Sequence, residues 1–350
     1  MRFHIVSLPH TNTTLDFTSC AYTEKVRRFC IMMKNGGHEV YLYAGEKNSA
    51  PVDEHIICLT ENDRQKFVSG SSFIDEIFDC SLPQWKTFIS NVISNMGSRL
   101  QQKDFICLIA GICHKPIADA FPGHISVEFG IGYSGVFAKY KIFESYAWMH
   151  SVYSQYKDAS RVDGQFFDAV IPGYTEPEMF PFEKDKGDYY LYIGRLIDRK
   201  GYRIAQEVCE RLGKRLILAG FGNKTGYGEF VGSVGVIERG KLMSKAIAVF
   251  VPTLYIEPFG NVLIEALMCG TPVITTDWGA FTETNIHGVT GFRCRTFKEF
   301  CNATEEVKNL EPRKIREIAM SKYSLEVIQN EYEKYFKRLL SLWEDGWYQN

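Results

Sequence analysis

Short apolar runs alternate with helical stripes along most of this chain. Residues 3–8 form an unbroken run of buried-strand type, a polar loop fills 9–19, and residues 20–33 carry Tyr22, Val26, Phe29, Cys30 and Met33 at helical spacing. Lys34-Asn35-Gly36-Gly37 stops that helix and residues 39–44 read as a second strand, so the chain opens with a βαβ unit. Patterning is weak over 45–100, where helices are predicted at 75–79 and 85–100. Residues 104–110 (DFICLIA) and 167–172 (FDAVIP) are strands. Between them Phe137, Tyr140, Phe143, Tyr146, Ala147, Met149, His150 and Tyr153 recur at helical intervals, which predicts one aromatic helix over 137–156.

The alternation restarts after the Pro172-Gly173 break. Strands are predicted at 189–193, 214–219, 249–251 and 272–275, with a short strand and its loop over 230–237. Helices are predicted after Gly201 to about 212, and at 240–246, 259–268, 298–307 and 312–320. A last helix, 325–343, carries Ile328, Tyr332, Tyr335, Phe336, Leu339 and Trp343 as its stripe. Two such series in 350 residues predict two α/β domains, 1–172 and 173–324, followed by a terminal segment, 325–350.

Composition adds exclusions. Hydrophobic residues make up 45% and charged residues 23%, a globular balance without any apolar run of membrane-span length. A net charge of −2 gives no general attraction to nucleic acid or anionic lipid. A local basic patch from Arg27, Arg28, Lys139 and Lys141 would still allow peripheral membrane contact or an anionic acceptor, although solvated faces are the commoner reading of such residues. The ten cysteines form no C-x-x-C pair and no zinc spacing, and most sit in apolar runs. They read as reduced thiols of a cytoplasmic protein, and MRFHIVSLPH is too short and polar for a signal peptide.

The chemistry concentrates in AVFVPTLYIEPFGNVLIEALMCGTPVITT, residues 248–276. It reads as strand, loop, helix, tight turn, strand. Glu257 stands in the loop at the helix mouth and Glu265 within the helix. The loop follows the carboxyl end of a strand, where open α/β sheets bind ligands. The first free N–H groups, from about Gly260 and Asn261, favour an anion there. A phosphate on the helix start, with carboxylates placed to hold neutral hydroxyls, outlines a nucleotide-sugar site. A lone Glu pair would more often be ordinary surface carboxylates; the residues around this pair change that balance.

E-P-F-G-N-V-L-I-E-A-L-M-C-G-T-P-V-I resembles the donor-site signature of retaining GT-B glycosyltransferases, especially glycosyltransferase family 4: Glu, seven residues, Glu, then a small residue, Gly and Pro-Val. The resemblance is strongest over 172–292 and thinner over 46–165. It implies two Rossmann-like domains with a cleft between them, an acceptor-binding first domain, a nucleotide-sugar-binding second domain, and a last helix crossing back. It implies that Glu257 hydrogen-bonds donor-sugar hydroxyls, that Glu265 binds the ribose, and that Pro258, Phe259, Gly260, Asn261 and Val262 line the donor.

GRLIDRKG, residues 194–201, is similar to a second family signature. There Arg195 and Lys200 would grip the donor diphosphate beside Gly194, and Gly220-Phe221-Gly222 would lie near the nucleotide. The bland reading of the two cations, solvated surface charges, loses to their joint occurrence with the Glu pair. Two further features resemble the family less closely. His114 follows directly on a strand end, as in some relatives, against the alternative of a core histidine. No His stands where relatives contact the donor sugar, and Glu128 is the candidate substitute. The first loop departs from the family by having no glycine. Thr11, Asn12, Thr13 and Thr14 instead offer hydroxyl and amide groups to an acceptor or phosphate, or simply form a capped turn. Trp278-Gly279-Ala280 with Glu283 resembles the family's Gly-Gly…Glu and predicts a structural role for Glu283.

The expected activity is therefore a retaining transfer from a UDP- or GDP-sugar to a hydroxyl of a glycan, a lipid-linked sugar or a modified base. Without a D-x-D motif, no metal or other cofactor is expected. The resemblance implies same-face attack, with the leaving phosphate helping to deprotonate the acceptor. Two other classes remain: a GT-B-like nucleotide-sugar epimerase, which needs no acceptor, and a non-catalytic nucleotide-sugar-binding module. An NAD-dependent dehydrogenase would require G-x-G-x-x-G after the first strand, where no glycine occurs.

Overall fold

The computed structural model describes residues 1–67, 73, 76–155, 165–223 and 226–342. Asp75, Tyr156 and Trp343, placed in helices by the sequence pattern, lie outside the described residues. The chain forms two compact units. One comprises Met1–Glu144, Val152–Ile171 and the residues from Gln329 onward; the other comprises Ser145–Ser151 and Pro172–Ile328.

The first unit contains β1 (Arg2–Val6), α1 (Ala21–Asn35), β2 (Glu39–Gly45), β3 (Glu54–Leu59), α2 (Glu61–Phe67), α3 (Pro83–Gly97), β4 (Phe105–Leu108), α4 (Lys115–Ala120), β5 (Ile125–Ile131) and β6 (Tyr140–Phe143). Helix α5 (Tyr146–Tyr153) follows, with its residues through Ser151 in the second unit, and β7 (Asp168–Val170) returns to the first. Its seven strands are parallel in the order β3-β2-β1-β4-β5-β6-β7. A parallel sheet is covered on both faces, which is why β4 (FICL) reads as a continuous apolar run and why the buried His4 of β1 is paired with Tyr43 and Asp104.

The predicted aromatic helix over 137–156 is two elements. Tyr140–Phe143 is a strand buried at every position, and only Tyr146–Tyr153 is helical. Aromatic residues three apart fit either a helix stripe or successive buried elements, so spacing alone misassigned them. In the weakly patterned stretch, β3 and α2 escaped notice, and the predicted helix over 85–100 is α3. Strand β3 lies at the sheet edge and mixes exposed and buried positions, which blurs its signal.

The second unit contains β8 (Tyr189–Ile193), α6 (Tyr202–Leu212), β9 (Arg215–Ala219), β10 (Glu229–Phe230), α7 (Val236–Lys245), β11 (Val249–Val251), α8 (Asn261–Met268), β12 (Val273–Thr276), α9 (Phe281–Thr284), β13 (Gly291–Cys294), α10 (Phe297–Glu306) and α11 (Pro312–Tyr323). The predicted strand over 230–237 gives way to α7 from Val236, so that helix starts earlier than expected. All six strands are parallel, in the order β10-β9-β8-β11-β12-β13. One core face joins Leu191, Val249, Leu263, Ile264, Leu267 and Ile315; the other joins Tyr190, Phe250, Ala205, Val208 and Phe300. Helices therefore cover both faces, and the doubly wound sheet is the arrangement the alternating pattern demands.

Helix α12 (Leu325–Leu340) begins in the second unit, and its residues from Gln329 belong to the first. Within the first unit Phe336 is fully buried, edge-on to Phe3 at 4.8 Å and to Phe105 at 4.9 Å, while Tyr332 meets Phe29 at 5.3 Å. All ten cysteines are free thiols. Among the described residues no helix is long and apolar enough to cross a membrane.

Candidate active site

In the second unit the strand order reverses direction between β8 and β11. The loops leaving the carboxyl ends of these neighbours diverge there and leave a crevice for a ligand. The β8 loop runs through Gly194 and Arg195 into a single 3-10 turn, Asp198–Lys200. It is packed backbone to backbone against the β9 loop. Gly220 has φ +137°, and a Cβ there would lie 2.0 Å from the Gly194 carbonyl oxygen, so only glycine fits. Gly222 meets the Leu196 side chain in the same way at 3.0 Å.

Lys200, at the end of this loop, donates from Nζ to Oε2 of Glu257 at 2.9 Å. Thr253 Oγ1 donates to the same oxygen at 3.0 Å. Glu257 is 9% exposed, and at the edge of solvent its charge is met by the Lys200 ammonium and by the hydroxyls of Thr253 and Tyr255. The Tyr255 ring lies 5.0 Å from the Lys200 ammonium and 4.9 Å from the Arg199 guanidinium. Burial, with Glu257 beside it, raises the Tyr255 phenol well above its ordinary pKa, so it stays protonated. Arg195 is exposed and its guanidinium has no carboxylate partner among the described residues. Lys200 and Glu257 thus meet, while Arg195 stands clear of both.

The β11 loop ends at Gly260, whose φ of +94° turns the chain into α8. A Cβ at Gly260 would lie 2.9 Å from the Phe281 ring, closer than real Cβ contacts come. Leu263 N–H bonds back to the Gly260 carbonyl at 2.9 Å, but the N–H groups of Asn261 and Val262 have no acceptor among the described residues. They form the positive end of the helix dipole. The Pro258 carbonyl accepts from Ser145 Oγ at 2.6 Å. The Phe259 side chain lies in the core, 6.0 Å from the Tyr323 ring, so only its backbone faces the mouth. Val262 is partly buried against the same core. Glu265 sits just over one turn into α8, 3% exposed, and accepts from Arg239 Nη2 at 2.8 Å.

The candidates in the first unit are bound up internally. His114 is fully buried, with Nδ1 accepting from Ile109 N–H at 3.4 Å and its ring 6.0 Å from Trp85. Burial lowers its pKa to about 3, so it is held neutral in the core. Glu128 is fully buried and holds its own loop: Oε2 accepts from Phe137 and Ala138 N–H, both at 2.8 Å, and Oε1 from Tyr133 at 3.2 Å. Both oxygens are occupied, which leaves it a poor substitute for a sugar-contacting histidine.

The first loop is similar. Thr11 pairs with Thr23 at 2.6 Å, and Asn12 with Glu61 at 3.0 Å and Lys47 N–H at 3.1 Å. Thr13 meets Ser7 at 3.2 Å, and Thr14 reaches Asp16 at 3.4 Å. These side chains are thus bonded to neighbouring protein groups, and neither Thr14 nor Cys20 caps the helix after it with its side chain. No basic patch forms either. Arg27 and Arg28 are buried with Glu24 between them, Lys141 is buried against Asp168 at 3.2 Å, and Lys139 alone is exposed.

Sequence reasoning missed Thr253, Tyr255, Arg239 and Ser145. Tyr255 and Thr253 flank Glu257 closely enough that loop membership alone was a signal. Arg239 and Ser145 lie 26 and 113 residues from their partners, and no local pattern announces such pairs.

The two parallel sheets, each wound on both faces by helices, define an α/β protein of the GT-B glycosyltransferase fold. Solved structures agree over nearly the whole chain. AviGT4, a glycosyltransferase involved in avilamycin A biosynthesis, superposes with a TM-score of 0.71 at 19% identity, covering 97% of this chain and 98% of that one. Sucrose-phosphate synthase from Thermosynechococcus elongatus gives 0.69 at 17% identity, covering 97% and 99%. Anabaena Alr3699/HepE, solved in complex with UDP and glucose, gives 0.67 at 15%, covering 96% and 99%.

Residues 175–324 match the family model described as glycosyl transferases group 1. Part of the chain is also similar to curated proteins. The uncharacterized glycosyltransferase MJ1607 of Methanocaldococcus jannaschii is 33% identical over 125 residues, 31% of this chain and 32% of its own. A glycogen synthase of Mycobacterium tuberculosis is 34% identical over 122 residues, 30% and 29% of the two chains. The match thus spans about a third of the length of these relatives.

Proposed function

We propose that this protein is a retaining, metal-independent glycosyltransferase that transfers a sugar from a nucleoside-diphosphate sugar to an acceptor hydroxyl. The observation that carries the reading is the meeting of Lys200 with Glu257 at 2.9 Å, in the loop that leads to the N–H groups of Asn261 and Val262, which have no acceptor among the described residues. The diphosphate would sit on the start of α8, with Lys200 and Arg195 balancing the charge that develops as the glycosidic bond breaks. Glu257 would accept from sugar hydroxyls, and Glu265, oriented by Arg239, from the ribose. Fixed cations and amide dipoles supply the leaving-group stabilisation that a metal provides elsewhere, and that supports metal independence. Retention and acceptor deprotonation by the leaving phosphate belong to the same proposal and follow the family resemblance. Because Anabaena HepE was solved with UDP, a UDP-sugar is placed ahead of a GDP-sugar as donor.

The test begins with a thermal-shift screen of UDP-, GDP-, ADP- and dTDP-sugars. Donor hydrolysis and transfer are then assayed with and without EDTA. Lys200→Ala is expected to lower turnover about 10²–10³-fold, with little change in melting temperature. Wild-type turnover in that variant, or a sugar epimerised with no acceptor present, would overturn the reading.

A further inference from the structure

The mouth of α8 is held by residues outside the donor signature. Ser145 Oγ donates to the Pro258 carbonyl at 2.6 Å and accepts from Trp148 N–H at 3.0 Å, so it caps α5 and fastens the β11 loop with one hydroxyl. Glu283 of α9 accepts from Tyr146 N–H at 3.0 Å and from Ala147 N–H at 2.8 Å. The first three N–H groups of α5 are therefore all satisfied, two of them by a carboxylate placed where the helix dipole favours negative charge. The α9 segment also holds the other side of the loop, because Ala280 N–H donates to the Glu257 carbonyl at 3.1 Å.

These contacts hold two successive peptides, Glu257–Pro258 and Pro258–Phe259. The Pro258 carbonyl and the Phe259 N–H share a plane, so holding the oxygen sets that plane. The Phe259 side chain is anchored in the core. Gly260 makes its left-handed turn directly after these two anchors. The direction of the Asn261 and Val262 N–H groups follows.

We propose that Ser145 and Glu283 are positioning residues of the donor site, which aim the α8 amides at the diphosphate by clamping α5 to the Pro258 carbonyl. The inference rests on the donor site proposed above. Neither side chain need touch the donor: the Ser145 hydroxyl is used by Pro258 and Trp148, and both Glu283 oxygens by α5.

The experiment is calorimetric titration of the full chain with UDP, together with steady-state kinetics at varied donor. Ser145→Ala is expected to weaken UDP binding about fivefold, the loss of one hydrogen bond. Donor KM should rise in step while kcat changes little, and Ser145→Thr should restore binding. Glu283→Gln keeps one acceptor and loses the charge, and should act in the same direction. A purely structural role would lower the melting temperature of Ser145→Ala and leave KM unchanged, and that result overturns the proposal. If the wild-type chain binds no nucleotide, the donor-site reading itself fails. Equal UDP binding by wild type and Ser145→Ala sinks only the positioning role.

Discussion

The polar side chains in this protein divide by whether their partners leave them anything to give. Lys200 and Glu257 meet at the edge of solvent, where a ligand can compete for either of them. Glu128 is bonded through both oxygens to its own loop, and Thr11, Asn12 and Thr13 each pair with a neighbouring side chain. His114 shows what such enclosure does to titration. Burial lowers its pKa from 6.5 to about 3, and burial also brings His10 to about 4, with Arg64 adding to the effect. A histidine held neutral in the fold takes up its proton only on unfolding, so the unfolded chain binds more protons below pH 6.5. Stability is thus fully present above that pH and is lost as pH falls toward the folded-state values. For His114 alone the full difference, reached only below pH 3, is of order 5 kcal/mol, at about 1.4 kcal/mol per unit. Urea unfolding of the wild type should show stability falling from pH 6.5 toward 4. His114→Gln, which keeps an acceptor for Ile109 N–H, should show a shallower fall, and parallel curves would refute the assignment.

At the scale of elements, the start of α8 depends on neighbours as much as on its own residues. Its Glu257, Gly260, Glu265 and Gly270 were legible in the sequence because strand, loop, helix and turn follow each other locally. The pairing of Glu265 with Arg239 was not legible, because it depends on how α7 packs against α8. That pair is buried, which gives a definite expectation. Arg239→Met removes the guanidinium from which the buried Glu265 carboxylate accepts and should cost about 3–5 kcal/mol in unfolding free energy. Adding Glu265→Leu should recover most of that loss, since an apolar pair replaces a buried ionic one at little net cost. The double variant should nevertheless bind UDP less tightly than wild type. Recovery of both stability and UDP affinity would remove Glu265 from the proposed site. The aromatic residues near 140 carry the opposite lesson. Residues at three-residue intervals sit on one helix face or in successive buried elements, and only the pairing of β6 with β5 and β7 distinguishes the two.

At the scale of the molecule, each unit has its own parallel sheet, and each sheet changes direction at one place. In the first unit that place lies between β1 and β4, where the histidine-bearing loops leave the sheet; in the second it lies between β8 and β11. The first unit is completed by the far end of the chain. Phe336, near the carboxyl end of α12, is fully buried among Phe3, Phe29 and Phe105. Phe336→Ala should therefore cost about 3–5 kcal/mol. The loss should appear in hydrogen-exchange protection of β1 and β4, with the amides of β8 and β11 unaffected. Equal loss of protection in both units would contradict this division.

The sequence by itself determined two parallel α/β sheets, the placement of Glu257, Arg195 and Lys200 on loops at strand ends, and that of Glu265 in the helix that follows. These follow from periodicity, glycine and proline positions and a long ordered motif, all of them local properties. Tertiary structure alone decided which candidates stay available. Whether a threonine, a histidine or a glutamate faces a ligand or a neighbour depends on packing between residues far apart in the chain, and a buried polar group must find a partner wherever the fold supplies one.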